Sequence, residues 1–387
     1  MKIVAYLILF MTVMGLSACG GSVDDSVTPA VLSDFKVELE TPVVWKQSID
    51  TIDNIHLKLA PYIYKNRLFL CTGDGWVLAF NAKNGRQLWK INTKLPLSSS
   101  VGGDDKNIVI GSREGDAIML SQKDGKQIWK ANVSSEILAR PLLAGNVAVF
   151  RTMDGRLFGV QANNGQSLWV YERKVPALSL HGTSAPVGDG DTVFAGFDNG
   201  KLVAFSTVDG KVRWEKTLAV PRGRSELERM VDIDADPLLK DKVVYAVSFQ
   251  GRIAAIDVSD GNNLWIREMS SYEGMALDDH NVYVTAFDGT VWALDRNSGA
   301  TFWKQDKLLA RNVTAPAVQG QSVVVGDYDG YLHWLARDDG RIIARAKVDS
   351  SAIRIAPMVS EDILYVRSRG GVLAAYSYKN IHSASSQ

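Results

Sequence analysis

Few side chains in this 387-residue chain are spaced to do chemistry. The five histidines, His56, His181, His280, His333 and His382, lie too far apart to form the short-spaced pairs that bind a metal. The two cysteines, Cys19 and Cys71, cannot build a disulfide framework or a Cys-rich zinc or iron–sulfur site. Neither a Gly-x-Ser-x-Gly nucleophile elbow nor a phosphate-cradling P-loop occurs. The chain is therefore expected to have no catalytic residues, no metal and no cofactor. Charge narrows the class further. Lys+Arg number 43 against 43 Asp+Glu, a formal net charge of zero, whereas a nucleic-acid binder needs a basic surplus. Hydrophobic residues at 46% and charged residues at 22% fit a folded globular chain.

The reactive group that does stand in a meaningful context is Cys19. Lys2 is followed by an apolar stretch, Ile3 to Leu16, too short to span a bilayer as a helix. It ends in Leu16-Ser17-Ala18-Cys19, which resembles the lipobox of bacterial lipoproteins. The resemblance implies cleavage before Cys19 and lipidation of that residue, and Gly20 in place of Asp implies the outer membrane. The alternative is an ordinary secretory leader with a chance cysteine. Gly20 to Ser33 is small and polar and reads as a tether. The expected organisation is a leader over 1–18, lipidated Cys19 and a flexible tether over 19–36, a single folded body over 37–380, and a tail over 381–387.

That body is one unit written eight times. A small or polar residue followed by Gly recurs at Asp74-Gly75, Glu114-Gly115, Asp154-Gly155, Asn199-Gly200, Gln250-Gly251, Asp288-Gly289, Asp329-Gly330 and Gly370-Gly371. The spacings, 40, 40, 45, 51, 38, 41 and 41, define a repeat architecture. Eleven residues after each pair comes a glycine in seven copies, and fifteen after it a tryptophan in six: Trp89, Trp129, Trp169, Trp214, Trp265 and Trp303. The seventh copy has Ala344 in the tryptophan slot. Thirteen residues before the pair stands a proline in six copies.

One copy shows the local physics. A short strand follows Pro141, then come apolar runs Asn146 to Arg151, Arg156 to Gln161 and Ser167 to Tyr171, separated by Asp154-Gly155 and Asn164-Gly165 turns. Runs apolar on both faces, such as Val243 to Val247, need cover on both sides. Four-stranded sheets that cover one another radially are β-propeller blades. A linear stack is the alternative, and it would need polar caps. The eighth copy stops after its third strand, while Thr41 to Gln47, containing Trp45, supplies a spare strand at the amino end. The expected fold is thus an all-β, eight-bladed propeller with four antiparallel strands per blade, closed by an N-terminal strand that completes the last blade. The outer-strand tryptophans are expected to pack between blades, with a stacking platform for a ligand as the alternative. Trp76, Trp292 and Trp334, in third strands, are expected in the interblade core.

Ala255, Asp257, Gly261 and Trp265, and again Ala293, Asp295, Gly299 and Trp303, match the Ala-x-Asp-x-x-x-Gly-x-x-x-Trp docking motif, so the repeat resembles the pyrroloquinoline-quinone propellers. Those dehydrogenases carry a vicinal Cys pair and a calcium ion beside a catalytic carboxylate, and this chain has no vicinal pair. An eight-copy array of this kind behind a lipobox resembles the BamB family of outer-membrane assembly lipoproteins, over about residues 19–380. The resemblance implies a non-enzymatic scaffold in the machinery that folds β-barrel proteins into the outer membrane. The implied partner is the periplasmic POTRA region of BamA and, through it, the rest of the complex. Unfolded outer-membrane proteins are a further partner class. The alternative from another class is a quinone- or small-ligand-binding propeller using its central channel.

Loop lengths point to a binding patch. The two longest Trp-to-Pro connections, Trp169 to Pro186 and Trp214 to Pro237, are 17 and 23 residues and consecutive. They should lie side by side on the face that also carries the Asp-Gly hairpins, and loops on a rigid scaffold carry function. Leu178 and Leu180 in the first offer an apolar centre; the second, Arg222 to Asp234, offers Arg and Asp side chains for polar contacts. The bland alternative is that the leucines plug their loop and Asp232 and Asp234 cap turns. Leu-Ser-Leu and Asp-x-Asp resemble the segments through which BamB contacts BamA, so the implied partner-binding residues are Leu178, Leu180, His181, Asp232 and Asp234. His181 stands where the family carries Arg, which removes a permanent charge and a bidentate donor.

Overall fold

The computed structural model describes residues 28–54, 57–173, 184–225 and 228–381. The described residues form eight four-stranded antiparallel sheets and contain no helix. Blades 1 to 7 are built from residues 62–92, 102–132, 142–171, 187–217, 238–268, 274–305 and 317–347, each a meander of four consecutive strands. Blade 8 takes three strands from residues 358–376 and its outer strand from Val43–Ser48. That strand pairs antiparallel with Val372–Tyr376, Trp45 opposite Ala375 and Ser48 opposite Val372. The expected closure is therefore the observed one, and no linear stack forms.

Burial grades outward within each blade. The second strand of blade 3, Val147–Arg151, is buried at every position, as is that of blade 4, Thr192–Gly196. These strands are covered by a neighbouring blade on each face, which their continuous apolar character requires. The outer strands alternate instead: in Ser167–Tyr171 only Trp169 is buried. So the tryptophan points toward the next blade while its neighbour Leu168 faces solvent.

Each of the seven outer-strand tryptophans docks in the same way. Trp129 Nε1 donates to Ala162 O at 2.7 Å, Trp169 Nε1 to Thr207 O at 2.8 Å, and Trp45 Nε1 to Ala82 O at 2.7 Å across the closure. The face of each indole lies on the glycine of the next blade's last turn. At Gly210, φ is +68°, and a Cβ would stand 2.6 Å from the Trp169 ring. The glycine is needed twice there, for the left-handed backbone and for the close approach. Of the third-strand tryptophans, Trp334 is fully buried and donates to Gln319 Oε1 at 2.8 Å. Trp76 and Trp292 lie at the edge of the core, half-buried, with Lys90 and Lys304 over their rings.

Two buried arginines stitch places where simple packing would leave a seam. At the closure, Arg367 Nη1 of blade 8 donates to Leu59 O and Cys71 O, at 2.9 and 3.0 Å. Cys71 is fully buried and its thiol is pushed up to about 12 by burial. At blades 3 and 4, Arg151 reaches Asp198. The amino- and carboxyl-terminal segments also meet in a two-stranded ladder, Leu39–Glu40 with Lys379–Asn380.

Gly210→Ala forces both the strained backbone and the clash, so it is expected to destabilise the fold by about 2–4 kcal/mol, measured by urea unfolding. Val208→Ala, two residues away and exposed, serves as the control and should shift stability by less than about 0.5 kcal/mol.

Candidate functional site

The connections between blades and the Asp-Gly hairpins share one face. Leu218 N and Ala219 N both donate to Gly200 O, so the long connection between blades 4 and 5, residues 218–237, starts against the hairpin of its own blade. Its first exposed stretch carries Val220, Arg222 and Arg224. A local lock then turns the chain: Arg224 N and Ser225 N donate to Glu228 Oε2 at 2.6 and 3.1 Å, and Glu228 N donates to Ser225 Oγ. These backbone donors hold the Glu228 carboxyl below its usual range.

From Met230 to Ile233 the loop dives. Met230, Val231, Asp232 and Ile233 are all buried, and Ile233 lies over Gly196, leaving no room there for a Cβ. Asp232 is completely buried, its carbonyl accepting from Phe249 N at 2.8 Å. Two residues on, Asp234 and Asp236 line the mouth of the central channel. Thus the structure sets Asp232 beneath the loop surface and Asp234 half-buried on the channel side, with Arg222, Arg224 and Arg229 outermost.

The two long connections are brought together by side chains of this floor. Asp236 Oδ1 accepts from Ala185 N at 2.7 Å, which ties the end of the first connection to the end of the second. Arg151 Nη1 donates to Ser184 Oγ at 3.1 Å while its Nη2 meets Asp198 Oδ1 at 2.5 Å. The Phe197 ring packs under both Arg151 and Arg173. Leu178, Leu180 and His181 belong to residues 174–183, outside the described residues.

Sequence reading passed over Arg151, Asp198, Asp236 and Arg173. A signal was present for the first: a charged residue closing a strand otherwise apolar on both faces, which must be paired if it is buried. Asp198 and Asp236 carried no comparable mark.

The floor is crowded with negative charge. Asp234 has its Oδ1 buried without a hydrogen-bond partner among the described residues. Its carboxyl is pushed up to about 8, first by burial and then by the carboxylates of Asp232 and Asp198, against the pull of Arg151 and Lys58. Next to it, a cavity of about 300 Å³ at the channel mouth is ringed by Lys58, Arg140, Arg354, Asp234, Asp236 and Glu273. Arg140 pairs with Asp236 at 3.4 Å, and burial raises the Glu273 carboxyl. The vicinal cysteine pair of the dehydrogenases that share the docking motif has no counterpart among these residues. The Cys71 thiol is not part of the cavity wall and sits in blade 1 with Sγ 3.2 Å from Ser99 O. Among the described residues no group of three or more His, Cys, Asp or Glu side chains is arranged to hold a metal.

Comparison with known proteins follows the geometry. Residues 73–305 and 307–382 match the family model described as outer membrane protein assembly factor BamB. The outer membrane protein assembly factor BamB of Pseudomonas aeruginosa is 39% identical over 379 residues, covering 98% of this chain and 99% of that one. The crystal structure of BamB from Moraxella catarrhalis superposes with a TM-score of 0.81 at 28% identity, covering 87% of this chain and all of that one. Quinohemoprotein alcohol dehydrogenase from Comamonas testosteroni gives a TM-score of 0.70 at 11% identity, over 87% of this chain and 76% of that one, a likeness of fold alone.

The Asp234 environment makes a pH prediction. A carboxyl whose pKa is raised in the folded chain keeps its proton after the unfolded chain, at 3.8, has lost it. Its contribution to stability is complete below about pH 4 and is lost as pH rises through about 8. Asp234→Asn should therefore flatten the fall in thermal midpoint between pH 5 and pH 8 relative to the unaltered protein. An unchanged slope would mean that Asp234 is ionised throughout.

Proposed function

The chain belongs to the BamB family of outer membrane protein assembly factors, and from that membership we propose that it is a non-enzymatic scaffold lipoprotein of the β-barrel assembly machinery. It is lipidated at Cys19, held on the periplasmic face of the outer membrane, and binds the POTRA region of BamA. In this role the protein makes and breaks no bonds; it presents a rigid surface that raises the local concentration of the barrel-forming subunit and assists folding and insertion of its substrates.

One observation carries the reading beyond family membership. The described ends of the two longest interblade connections meet on one face, where half-buried Asp236 ties them to each other and the buried Arg151–Asp198 pair ties the first to blades 3 and 4. A surface whose supports are held in this way loses less conformational freedom when a partner binds, which is how a scaffold gains affinity without a large area. Leu178, Leu180 and His181 meet BamA, with the leucines as the apolar centre. Asp232 and Asp234 set the floor from which the second connection rises, and the outward Arg222, Arg224 and Arg229 form a polar rim. An imidazole at position 181 is largely neutral at pH 7, so the rim rather than this residue supplies the permanent positive charge.

Leu178→Ala/Leu180→Ala is expected to weaken capture of BamA from detergent-solubilised envelopes by about tenfold or more, as truncation of an apolar centre does. Leu178→Ala/Asp232→Ala should do the same, with thermal unfolding run in parallel to confirm that the floor still folds. Undiminished capture by folded variants would move the interface away from these loops.

A further inference from the structure

The described chain begins on the same face as the long connections. Ala30 N donates to Leu309 O at 2.9 Å, and Arg311 Nη1 donates to Ala30 O at 3.0 Å, both in the connection between blades 6 and 7. The chain then runs down the outer strand of blade 7, Ile342–Lys347. Arg345 Nη2 donates to Ser33 O at 3.2 Å, with its guanidinium 4.9 Å from the Phe35 ring centroid, and Glu38 N donates to Ile343 O. Leu32 and Phe35 pack on the core shared by blades 6 and 7. Residues 30–35, inside the span assigned to the tether from composition, are thus a strap fixed to the propeller.

The grip on this strap is built from buried groups. Arg311 is held by Asp327 through Nε and Nη2, at 2.9 and 2.7 Å. His333 Nε2 lies 3.0 Å from the same carboxylate and its Nδ1 3.3 Å from Arg345 Nε. Asp327, His333 and Arg311 are buried. Without the strap the chain would leave the ring at the opposite rim, where Leu39–Glu40 pairs with Lys379–Asn380 beside the last turns of the blades. With it, the path toward Cys19 departs from the loop-bearing face.

At that point of departure three large apolar side chains stand in solvent: Val31 at 88%, Phe287 at 59% and Leu309 at 37% exposure. Their backbones are joined. Ala30 bonds to Leu309, and the hairpin that carries Phe287 bonds to the same connection through Ala310 N and Asp288 O at 2.8 Å. Exposed Lys307 lies beside them. We propose that this rim of blades 6 and 7 rests on the lipid bilayer in which the Cys19 lipid is embedded.

The proposal builds on the lipid-anchor reading above. Cys19 precedes Ala30 by eleven residues, which span at most about 40 Å even when fully extended. A bilayer held that close is present at high effective concentration, so contacts too weak to hold a free protein become populated. Phe and Leu with a neighbouring Lys suit the headgroup boundary, where apolar side chains enter and the ammonium stays hydrated. The strap thereby does two things: it selects the face turned to the membrane and shortens the reach of the anchor.

The test places an environment-sensitive fluorophore on Phe287→Cys of the full mature chain. Cys71 is fully buried, and Cys19 carries the lipid in one form and is replaced by Ser in the hexahistidine form, so the new thiol is the one that labels. Lys83→Cys, on an exposed turn at the opposite face, is the control. Vesicles of phosphatidylethanolamine and phosphatidylglycerol carry nitroxide-labelled lipid as quencher. Two forms are compared: the lipidated protein, and the chain bound through an amino-terminal hexahistidine to nickel-chelating lipid. The label at 287 is expected to brighten about threefold on vesicles and to be quenched by nitroxide in both forms, while the label at 83 does neither. Leu32→Asp/Phe35→Ser, which frees the strap without touching Asp327, should abolish quenching at 287 with the fold intact by circular dichroism. Quenching in the hexahistidine form alone would refute the lipid anchor and keep the membrane-facing rim. Equal signals at 287 and 83, or brightening at 287 that follows protein concentration without nitroxide quenching, would overturn the rim, the latter pointing to a second copy as its occupant.

Discussion

An indole needs an acceptor for its one N–H and a flat surface for its rings, and each outer-strand tryptophan of this protein finds both on the next blade. The carbonyl at Ala162 and the bare backbone of Gly165 receive Trp129; Thr207 and Gly210 receive Trp169; Ala82 and Gly85 receive Trp45 across the closure. Because the acceptor and the glycine lie on one turn, the contact fixes distance and angle together. Repeated at seven of the eight junctions it fixes the wedge between successive sheets, and the closed ring brings Val43–Ser48 to Val372–Tyr376. The core strands could be apolar on both faces only if such wedges existed. The long connections could lengthen freely because none of the docking atoms lies in them.

The seventh junction shows what happens when the indole is missing. Ala344 occupies the slot, and the space is filled by Leu39, Tyr376 and Tyr378 together with the two-stranded terminal ladder. The strap crosses the outer strand of the same blade, and Glu38 bonds to Ile343 O. A tryptophan at position 344 would compete for this volume. The substitution that breaks the repeat is thus the one that makes room for the amino-terminal segment, and it sets where that segment meets the body.

Much of this was legible in the residues. The period, the strict inner register and the split last blade follow from local rules, since turn glycines, strand runs and an orphan Trp45 each announce themselves within a few positions. The strap was not legible. Pro29 to Ser33 is too short to carry a strand or helix signal, and its order comes from Arg311 and Arg345, which are about three hundred residues away and are themselves ordered by Asp327 and His333. The same limit applied to the second long connection. Its composition suggested a surface of mixed charge, but whether Asp232 faces out or in depends on what Ile233 covers, and Gly196 gave no sign of needing a lid. Loop length marked the place; only the fold could say which atoms form its surface and which its floor.

The proposed function asks for rigidity rather than for reactive groups. A closed ring holds the described ends of the two long connections at one place on one face. Everything placed on that face, including the charged channel mouth, inherits its geometry from closure. Hydrogen exchange read residue by residue tests closure most directly. The amides of Val43–Ser48 that face Val372–Tyr376 should exchange in the same slow class as the inner strands of blades 2 to 6. Exchange of residues 43–48 at the rate of an unstructured terminus, with the rest of the chain protected, would contradict a closed ring.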